Sequence, residues 1–271
     1  MADLPTLRDA SLSLDGRVAT LTMSRDEVRN ALTGTSLADD IVTAVTWASG
    51  CEEVSVLVIT GAGAAFSSGG NIKDMRARAA GFSGPIPDIE RAYRTGIQRL
   101  PLALARAELP LIAAVNGPAV GAGCDLACMC DLRVGSTAAA FAESFVNLGI
   151  IPGDGGGWFL QRTIGYARAA EMTLTGRMID ARTALAYGLL NELVEPDRLM
   201  ARAGELAAEI AAKPPQALRY AKRLLKIAQR TELPDFLDLC AVLQGVCHNT
   251  DDHLEAISAF LDKRTPHYQG R

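Results

Sequence analysis

Histidine is the scarcest catalytic residue type in this chain: all three, His248, His253 and His267, lie near the end of its 271 residues. Residues 1–247 contain no imidazole, which excludes a Ser-His-Asp or Cys-His site built within the main body. The motifs G-x-S-x-G and H-E-x-x-H are also absent. Proton transfer in the body must therefore depend on carboxyl, lysine, tyrosine or cysteine side chains, or on water.

Long apolar runs and a basic excess are also missing. No run approaches the ~20 apolar residues of a membrane-spanning helix. The net charge is −4, so no basic field favours nucleic acid or an anionic membrane. The first ten residues, MADLPTLRDA, lack the basic segment and apolar core of a signal peptide. We therefore expect a cytoplasmic protein with neither nucleic acid nor a membrane as partner.

The six cysteines form no regular disulfide framework. Three of them are close together, at Cys124, Cys128 and Cys130, but their spacing matches no zinc pattern and no histidine lies nearby. We expect these cysteines to be small buried side chains that pack in the core, and we predict no metal site.

The segment Leu109 to Val134 combines a strand, a glycine turn, a helix and a second strand. It begins with an apolar run and passes Gly121-Ala122-Gly123. Its pattern then predicts a helix over 124–130 and a strand over 131–134. Because a helix that starts after glycines presents unpaired N–H groups, this turn is suited to binding a negative oxygen.

A second unit of the same kind begins with VSVLVIT, residues 54–60, whose continuous β-branched run is typical of a strand buried on both faces. The segment GAGAAFSSGGNIKDM follows. Ser67 or Ser68 is expected to cap a helix that starts near Gly69-Gly70. Two backbone N–H groups, one from each turn, could therefore bind one oxygen.

The rest of the chain indicates an α/β body followed by helices. The pattern predicts a hairpin around Asp15-Gly16, a helix over 37–48, a loop over 76–87 and a helix over 88–107 that is kinked or restarted at Pro101. A short strand is expected over 138–145. From Pro196 onward only helical blocks follow, at 197–212, 215–229 and 234–261. We therefore divide the chain into an α/β core, 1–195, and a helical region, 196–271.

A dinucleotide-binding fold is the main alternative for the first strand and glycine turn. In the G-x-G-x-x-G motif, however, the third glycine is replaced by Phe66. No acidic residue ends a second strand about 20 residues on, and no Tyr-x-x-x-Lys motif is present. These departures argue against a nucleotide fold.

Two fixed N–H donors in a dry site stabilise a developing oxyanion by roughly 3–4 kcal/mol each. Without a histidine triad, an acyl-enzyme is not the obvious use of such a site. The remaining use is an enolate, formed when a proton is moved next to a carbonyl group.

The chain resembles the enoyl-CoA hydratase/isomerase (crotonase) family over nearly its whole length. The resemblance is carried, in order, by FSSGGNIKDM, NGPAVGAGCDLACMCDLRV, NLGIIPGDGGGWFLQRTIG, EMTLTGRMIDARTALAYGLLNELV and AFLDKR. It implies a spiral of ββα turns with a C-terminal all-helical region used for trimerisation, as a homotrimer or a dimer of trimers. It also implies an acyl-CoA substrate, with coenzyme A as part of that substrate and no permanently bound cofactor.

The resemblance also implies the roles of particular residues. The backbone N–H groups of Gly70 and Ala122 would be the oxyanion donors. Three groups of residues would contact the coenzyme A substrate: Arg29, Ser68, Asn71, Ile72 and Lys73 in the first half of the chain, Phe145 in the middle, and Phe260 and Lys263 at the C-terminus, commonly from a neighbouring subunit.

The acids depart from the family pattern. Typical hydratases carry two glutamates; here Asp125 stands at the first position and Phe145 at the second. Asp154, in the glycine loop, lies close to the place where isomerases keep an acid, and Glu143 is another candidate. An apolar wall around such a carboxyl group would raise its pKa.

Moving a double bond requires fewer catalytic acid and base groups than adding water does. The residues present therefore favour isomerisation of an enoyl-CoA, with Asp125 and Asp154 as proton carriers. Hydration of a 2-enoyl-CoA is the alternative. A non-catalytic protein that binds CoA esters, or a thioesterase or decarboxylase, also remains open at this point.

Overall fold

The computed structural model describes residues 3–79 and 81–271, which contain nine strands and twelve α-helices. The strands are β1 (Ala10–Asp15), β2 (Val18–Met23), β3 (Val56–Gly61), β4 (Leu111–Val115), β5 (Ala119–Val120), β6 (Leu132–Ser136), β7 (Ala140–Ala142), β8 (Met178–Asp180) and β9 (Glu192–Val194). The helices are α1 (Leu37–Gly50), α2 (Ile72–Ala77), α3 (Ile86–Thr95), α4 (Arg99–Arg106), α5 (Ala122–Met129), α6 (Gly156–Ile164), α7 (Tyr166–Thr175), α8 (Ala181–Tyr187), α9 (Leu199–Ala211), α10 (Pro215–Ile227), α11 (Leu233–His248) and α12 (Asp251–Asp262).

A six-stranded sheet forms the centre of the molecule, in the order β1-β2-β3-β4-β6-β9. The predicted hairpin is its antiparallel edge, in which Asp15 pairs with Val18. The remaining neighbours are parallel. β3 and β4 are buried along nearly their whole length, as continuous apolar runs predict. α1 packs against one face of this sheet and α9 against the other.

A second sheet of three strands, β5-β7-β8, lies beside the glycine turns. β5 follows the Asn116-Gly117-Pro118 break, and α5 begins directly after Gly121. The predicted strand–turn–helix–strand order of this segment is confirmed, although the helix begins at Ala122 rather than at 124. The strand expected over 138–145 is shorter: β7 ends at Ala142, and a 3-10 helix occupies Ser144–Leu148.

The prediction of a serine-capped helix at Gly69-Gly70 is wrong. α2 begins at Ile72, and the Asn71 side chain caps it by accepting a hydrogen bond from the Lys73 N–H at 3.0 Å. The Ser67 and Ser68 hydroxyls donate instead to main-chain carbonyls of residues 30 and 28, at 2.7 and 3.2 Å. These bonds hold the turn against the preceding connector, and the Ser67 hydroxyl oxygen accepts a hydrogen bond from the Gly69 N–H at 3.2 Å, within the turn and before the helix begins.

The predicted helix over 88–107 is two helices, and Pro101 lies in the first turn of the second, α4. Proline is tolerated there because the first N–H groups of a helix have no intrahelical partner. The loop predicted over 76–87 is shorter, since α2 extends to Ala77 and α3 starts at Ile86. Ala80 of this loop lies outside the described residues.

The C-terminal region contains four helices, because the block predicted over 234–261 breaks at Asn249-Thr250, where the Thr250 side chain caps α12. The first of the four, α9, belongs to the packed core: Leu199, Ala203 and Ala207 are buried against the central sheet. The core therefore extends past the composition change at residue 196. The assignment of 196–271 to oligomerisation stays a prediction.

Candidate functional site

The two glycine turns lie directly against each other. Ser67 forms a parallel bridge with Ala119. Gly69 has φ +75°, and a Cβ on it would lie 2.5 Å from the Val120 oxygen and 2.8 Å from the Ala122 nitrogen. A Cβ on Gly123 would lie 2.8 Å from the Ser67 carbonyl carbon. Only glycine permits this approach of backbone to backbone.

The N–H groups of Gly70 and Ala122 are free at this junction. Both residues line the same cavity. Neither N–H donates to an acceptor in the part of the chain that the structure describes, whereas the neighbouring N–H groups of Gly121 and Asn71 donate to Ala142 O at 2.8 Å and Thr33 Oγ1 at 2.7 Å. Ala122 is also the first residue of α5, whose N–H groups have no intrahelical partner. The structure thus brings together the two donors that the sequence predicts.

The cavity between the turns and helices α1–α3 has a volume of about 280 Å³. Its wall is largely apolar and includes Met75, Phe82, Ile97, Leu148 and Ile150. Such a wall excludes water and strengthens any electrostatic interaction made inside it.

Phe145 forms part of this wall. It is half-buried in the 3-10 helix that follows β7, and its ring lies 3.6 Å from the place that a Cβ on Gly121 would occupy. An aromatic ring, rather than a second acid, therefore packs over the turn that carries the Ala122 N–H.

Three carboxyl groups come together beside the turns. Asp125 lies in the first turn of α5, Glu143 directly after β7, and Asp154 in the loop before α6. Their exposed fractions are 0%, 0% and 4%. Asp154 lines the cavity, whereas Asp125 and Glu143 lie behind the wall. Asp125 is thus placed next to Asp154 and not at the cavity surface.

Burial raises the pKa of all three carboxyl groups because it disfavours their charged forms. The negative charge of Asp154 raises the pKa of Asp125 further. The neighbouring Asp125 carboxyl group opposes this effect at Glu143 and Asp154, whose pKa values nevertheless stay raised because burial is the larger cause. The central Asp125 is thus the acid that holds its proton most firmly.

The residues predicted to bind coenzyme A are distributed unevenly. Ser68 and Ile72 line the cavity. Asn71 uses its side chain as the cap of α2, and Lys73 is exposed on that helix. Arg29 adopts a left-handed conformation with φ 53° in the connector that holds Ser68.

The two C-terminal residues predicted to meet coenzyme A lie on α12 and just after it. Phe260 is 83% exposed and Lys263 is exposed, and neither lines the cavity of this chain. Their contact with coenzyme A stays a prediction.

Sequence reasoning missed two residues of the wall. Tyr93 of α3 lies beside the glycine loop, and burial and then the Asp154 charge raise the pKa of its hydroxyl. Asp39 of α1 lies at the wall but is half exposed and forms ion pairs with Arg8 and Arg99. Neither residue stood out in the sequence, because a tyrosine or an aspartate on an amphipathic helix is common.

No cluster of three or more His, Cys, Asp or Glu side chains within residues 3–79 and 81–271 has the arrangement of a metal site. Over the same residues, no helix combines the length and the apolar character needed to cross a bilayer.

Comparison with known proteins identifies the family. The family model described as enoyl-CoA hydratase/isomerase matches residues 14–271. The chain is 36% identical over 260 residues to the 2,3-dehydroadipyl-CoA hydratase of Escherichia coli K12, covering 96% of this chain and 98% of that protein. It is 33% identical over 258 residues to the 1,2-epoxyphenylacetyl-CoA isomerase of the same organism, covering 94% of this chain and 95% of that protein.

Solved structures agree with the sequence comparison. The crystal structure of enoyl-CoA hydratase from Bacillus anthracis superposes with a TM-score of 0.90 at 30% identity, covering 97% of this chain and 100% of that one. The predicted α/β fold with a helical C-terminal region is therefore confirmed. This chain belongs to the enoyl-CoA hydratase/isomerase family and is an enzyme of the hydratase/isomerase type.

Proposed function

We propose that this enzyme isomerises the double bond of an enoyl-CoA thioester, using Asp154 as the proton carrier. The observation that supports this choice is the composition of the cavity wall. Among the described residues of the wall, the carboxyl groups are those of Asp39 and Asp154, and Asp39 is committed to ion pairs. One buried acid beside two free N–H groups suits a proton shuttle.

The reaction proceeds through an enolate. The Asp154 carboxylate removes a proton from C2 of a 3-enoyl thioester, and the electron pair of that C–H bond moves into a dienolate. The thioester oxygen, now negative, accepts hydrogen bonds from the N–H groups of Gly70 and Ala122. Asp154 then returns the proton to C4, and the double bond lies between C2 and C3.

Asp125 is given a different role from the one that the sequence suggests. Its carboxyl group lies behind the wall and beside that of Asp154, whose charge raises the pKa of Asp125. A group in that place holds Asp154 in position and does not touch the substrate. In this reaction the proton is therefore carried by Asp154 alone.

Hydration of a 2-enoyl-CoA is the second candidate. It is favoured by the 36% identity to the 2,3-dehydroadipyl-CoA hydratase. Against it, water addition needs one group to activate water and another to deliver the C2 proton. The Phe145 ring occupies the wall where the resemblance to hydratases implies the second acid.

Substrate binding and assembly follow from the same resemblance. Coenzyme A is part of the substrate, and Arg29, Ser68 and Lys73 lie on the connector and turn that lead into the cavity. Asn71 and Ile72 shape the start of α2. A homotrimer or a dimer of trimers in the cytoplasm would bring Phe260 and Lys263 of one subunit to the substrate of another. No resident cofactor is required.

The test compares two substrates and two aspartates. With 3-enoyl-CoA the wild type should form 2-enoyl-CoA, and water addition to crotonyl-CoA should be slow. Asp154→Asn should lower kcat by roughly 100- to 10,000-fold, the usual contribution of a general acid–base. The matched control Asp39→Asn removes the other carboxyl group of the wall and should retain kcat within about threefold.

Two outcomes would reject the isomerase proposal. One is rapid hydration of crotonyl-CoA with no shift of the double bond in 3-enoyl-CoA. The other is full isomerase activity in Asp154→Asn, which would remove this residue from the chemistry.

A further inference from the structure

The three buried carboxyl groups present a problem that the isomerase proposal leaves open. Five of their oxygens, both of Asp125, both of Glu143 and Oδ1 of Asp154, are buried without a hydrogen-bond donor in the described part of the chain. None of the three forms an ion pair with a basic side chain that the structure describes. A buried charge without a partner or a donor costs several kcal/mol, so these groups are not three carboxylates.

The groups facing the cluster supply no cation. Tyr93 lies beside Asp154, and the Cys124 thiol lies beside Asp125 on the same helix. Both groups are neutral when protonated. A metal ion is not a substitute partner either, because the carboxyl groups lack the arrangement of a metal site among the described residues.

The carboxyl groups can satisfy one another only through shared protons. Asp125 is central and reaches both Glu143 and Asp154. The packing maintains this contact: a Cβ on Gly156 would lie 2.6 Å from the Asp125 Cγ, so α6 presses directly on the Asp125 carboxyl group. Neighbouring carboxyl groups cannot all ionise, and a shared proton links each pair.

We propose that Asp125, Glu143 and Asp154 act as one unit with two shared protons and one negative charge, in which Asp125 and Glu143 are positioning residues that keep the charge on Asp154. Only the catalytic use of this unit rests on the proposed function; the shared protons do not depend on it. Asp154 is the member that faces the cavity, so the charge is placed where a substrate proton can be accepted. Asp125, protonated, donates to Asp154 and holds its carboxylate in place.

Infrared spectroscopy of the substrate-free protein tests the shared protons without any assay of activity. At pH 7 the wild type should show the C=O stretching band of protonated carboxyl groups. Asp125→Asn and Glu143→Gln should each lower that band, and the control Asp39→Asn, which removes a half-exposed, ion-paired carboxyl group outside the cluster, should leave it unchanged. Absence of the band from the wild type would overturn the proposal, as would a stoichiometric metal ion in the purified protein.

The pH dependence of kcat/KM tests the positioning role. Asparagine at position 125 still donates an N–H to Asp154. In Asp125→Asn, the midpoint of the acid limb, the low-pH side of the kcat/KM profile, should therefore stay within about a few tenths of a pH unit of the wild-type value. Asp125→Leu has similar volume but no donor, and should move the acid limb of the kcat/KM profile up by about one pH unit. A lower plateau with an unmoved limb would indicate a merely structural role and overturn the proposal.

The two proposals fail separately. An infrared band that responds as expected, together with full isomerase activity in Asp154→Asn, would reject the isomerase mechanism and retain the shared-proton unit. Loss of activity in Asp154→Asn without a protonated band would do the reverse. If Asp125→Leu does not fold, the infrared comparison and Glu143→Gln still decide the question.

Discussion

At the scale of single residues, the proposed oxyanion site depends on a main-chain N–H group, which every substitution except proline leaves in place. Ala122 would contribute its N–H from the first position of α5, and its small side chain is 5% exposed in the packed turn. A donor of this kind is already oriented before the substrate arrives, which is the main source of its effect on the rate. The backbone of this turn should therefore matter more than its side chain.

Proline at position 122 tests that donor. Ala122→Pro removes the N–H but suits the first position of a helix, where that N–H has no intrahelical partner. We expect kcat for isomerisation to fall roughly 100- to 1,000-fold, while the free energy of unfolding changes by no more than about 1 kcal/mol. Ala122→Gly keeps the N–H and should retain most of the activity. Similar rates for both variants would show that this donor is not used.

Glu143 provides a second test at the same scale, through stability. Its folded-state pKa is raised, with burial as the largest cause. A raised folded-state pKa means that the folded protein binds this proton more tightly than the unfolded chain does. The stabilisation of the folded state by this proton is complete below the pKa of Glu143 in the unfolded chain, and it is lost as the pH rises through the pKa of Glu143 in the folded protein. The Glu143→Gln variant, which has no such titration, should therefore gain stability relative to the wild type between pH 5 and pH 8.

Urea unfolding of both proteins at the two pH values measures this difference. Glu209→Gln, at an exposed position of α9, is the matched control and should show no gain. An equal difference between Glu143→Gln and the wild type at both pH values would contradict a raised folded-state pKa.

At the scale of secondary-structure elements, the site is an arrangement of helix starts. α5 begins at the turn that carries Ala122, and α6 begins at Gly156 against the Asp125 carboxyl group. α2 starts just after Gly70. Because helix starts carry free N–H groups and a positive dipole end, this arrangement is suited to a negative oxygen and to a carboxylate.

The contact between α5 and α6 can be tested with two adjacent glycines. A Cβ on Gly156 would clash with Asp125, whereas a Cβ on Gly157 would find its nearest atom at 3.9 Å, on Pro152. Gly156→Ala should lower the free energy of unfolding by about 1–3 kcal/mol, as overpacking does, and should displace the carboxyl cluster and reduce activity. Gly157→Ala should change stability by less than about 0.5 kcal/mol. Thermal unfolding and kcat distinguish the two variants.

At the scale of the whole molecule, the C-terminal helices differ in how they pack against the body. α9 closes the far face of the central sheet, and α10 is fastened to the body by Lys222, which donates to Leu109 O at 2.6 Å and pairs with Asp131 at 2.7 Å. α11 and α12 instead expose large apolar side chains, including Leu237, Val242, Leu254, Ile257 and Phe260. An exposed apolar surface of this extent is typical of a subunit interface.

Sedimentation should therefore detect a trimer or a hexamer. Leu254→Glu, at a position that is 63% exposed on α12, should shift the protein toward monomers because it places a charge in an apolar interface. Met200→Glu, at a position that is 44% exposed on α9, is the control and should leave the assembly unchanged. A wild-type protein that sediments as a monomer at micromolar concentration would refute the proposed assembly.

Much of this molecule could be predicted from residue patterns. β3 and β4 were evident because continuous β-branched and apolar runs suit strands buried on both faces. The hairpin, α1 and the start of a second helix near Pro101 followed from alternation, helical spacing and the missing proline N–H. The start of α2 was not predictable, because Ser67 and Ser68 bond to a distant connector rather than to the helix that follows them.

The sequence by itself determined the fold family and the two glycine turns, because only residues without a Cβ allow Gly69 and Gly123 to approach the facing backbone so closely. Only the tertiary structure decided how the acids are used. Asp125, Glu143 and Asp154 come from three separate segments, and their burial depends on the packing of α5, β7 and α6 around them. That packing places Asp154 at the cavity and the other two acids behind it. The sequence could not give this result, because the pKa and the orientation of a carboxyl group depend on its folded environment and not on its residue type.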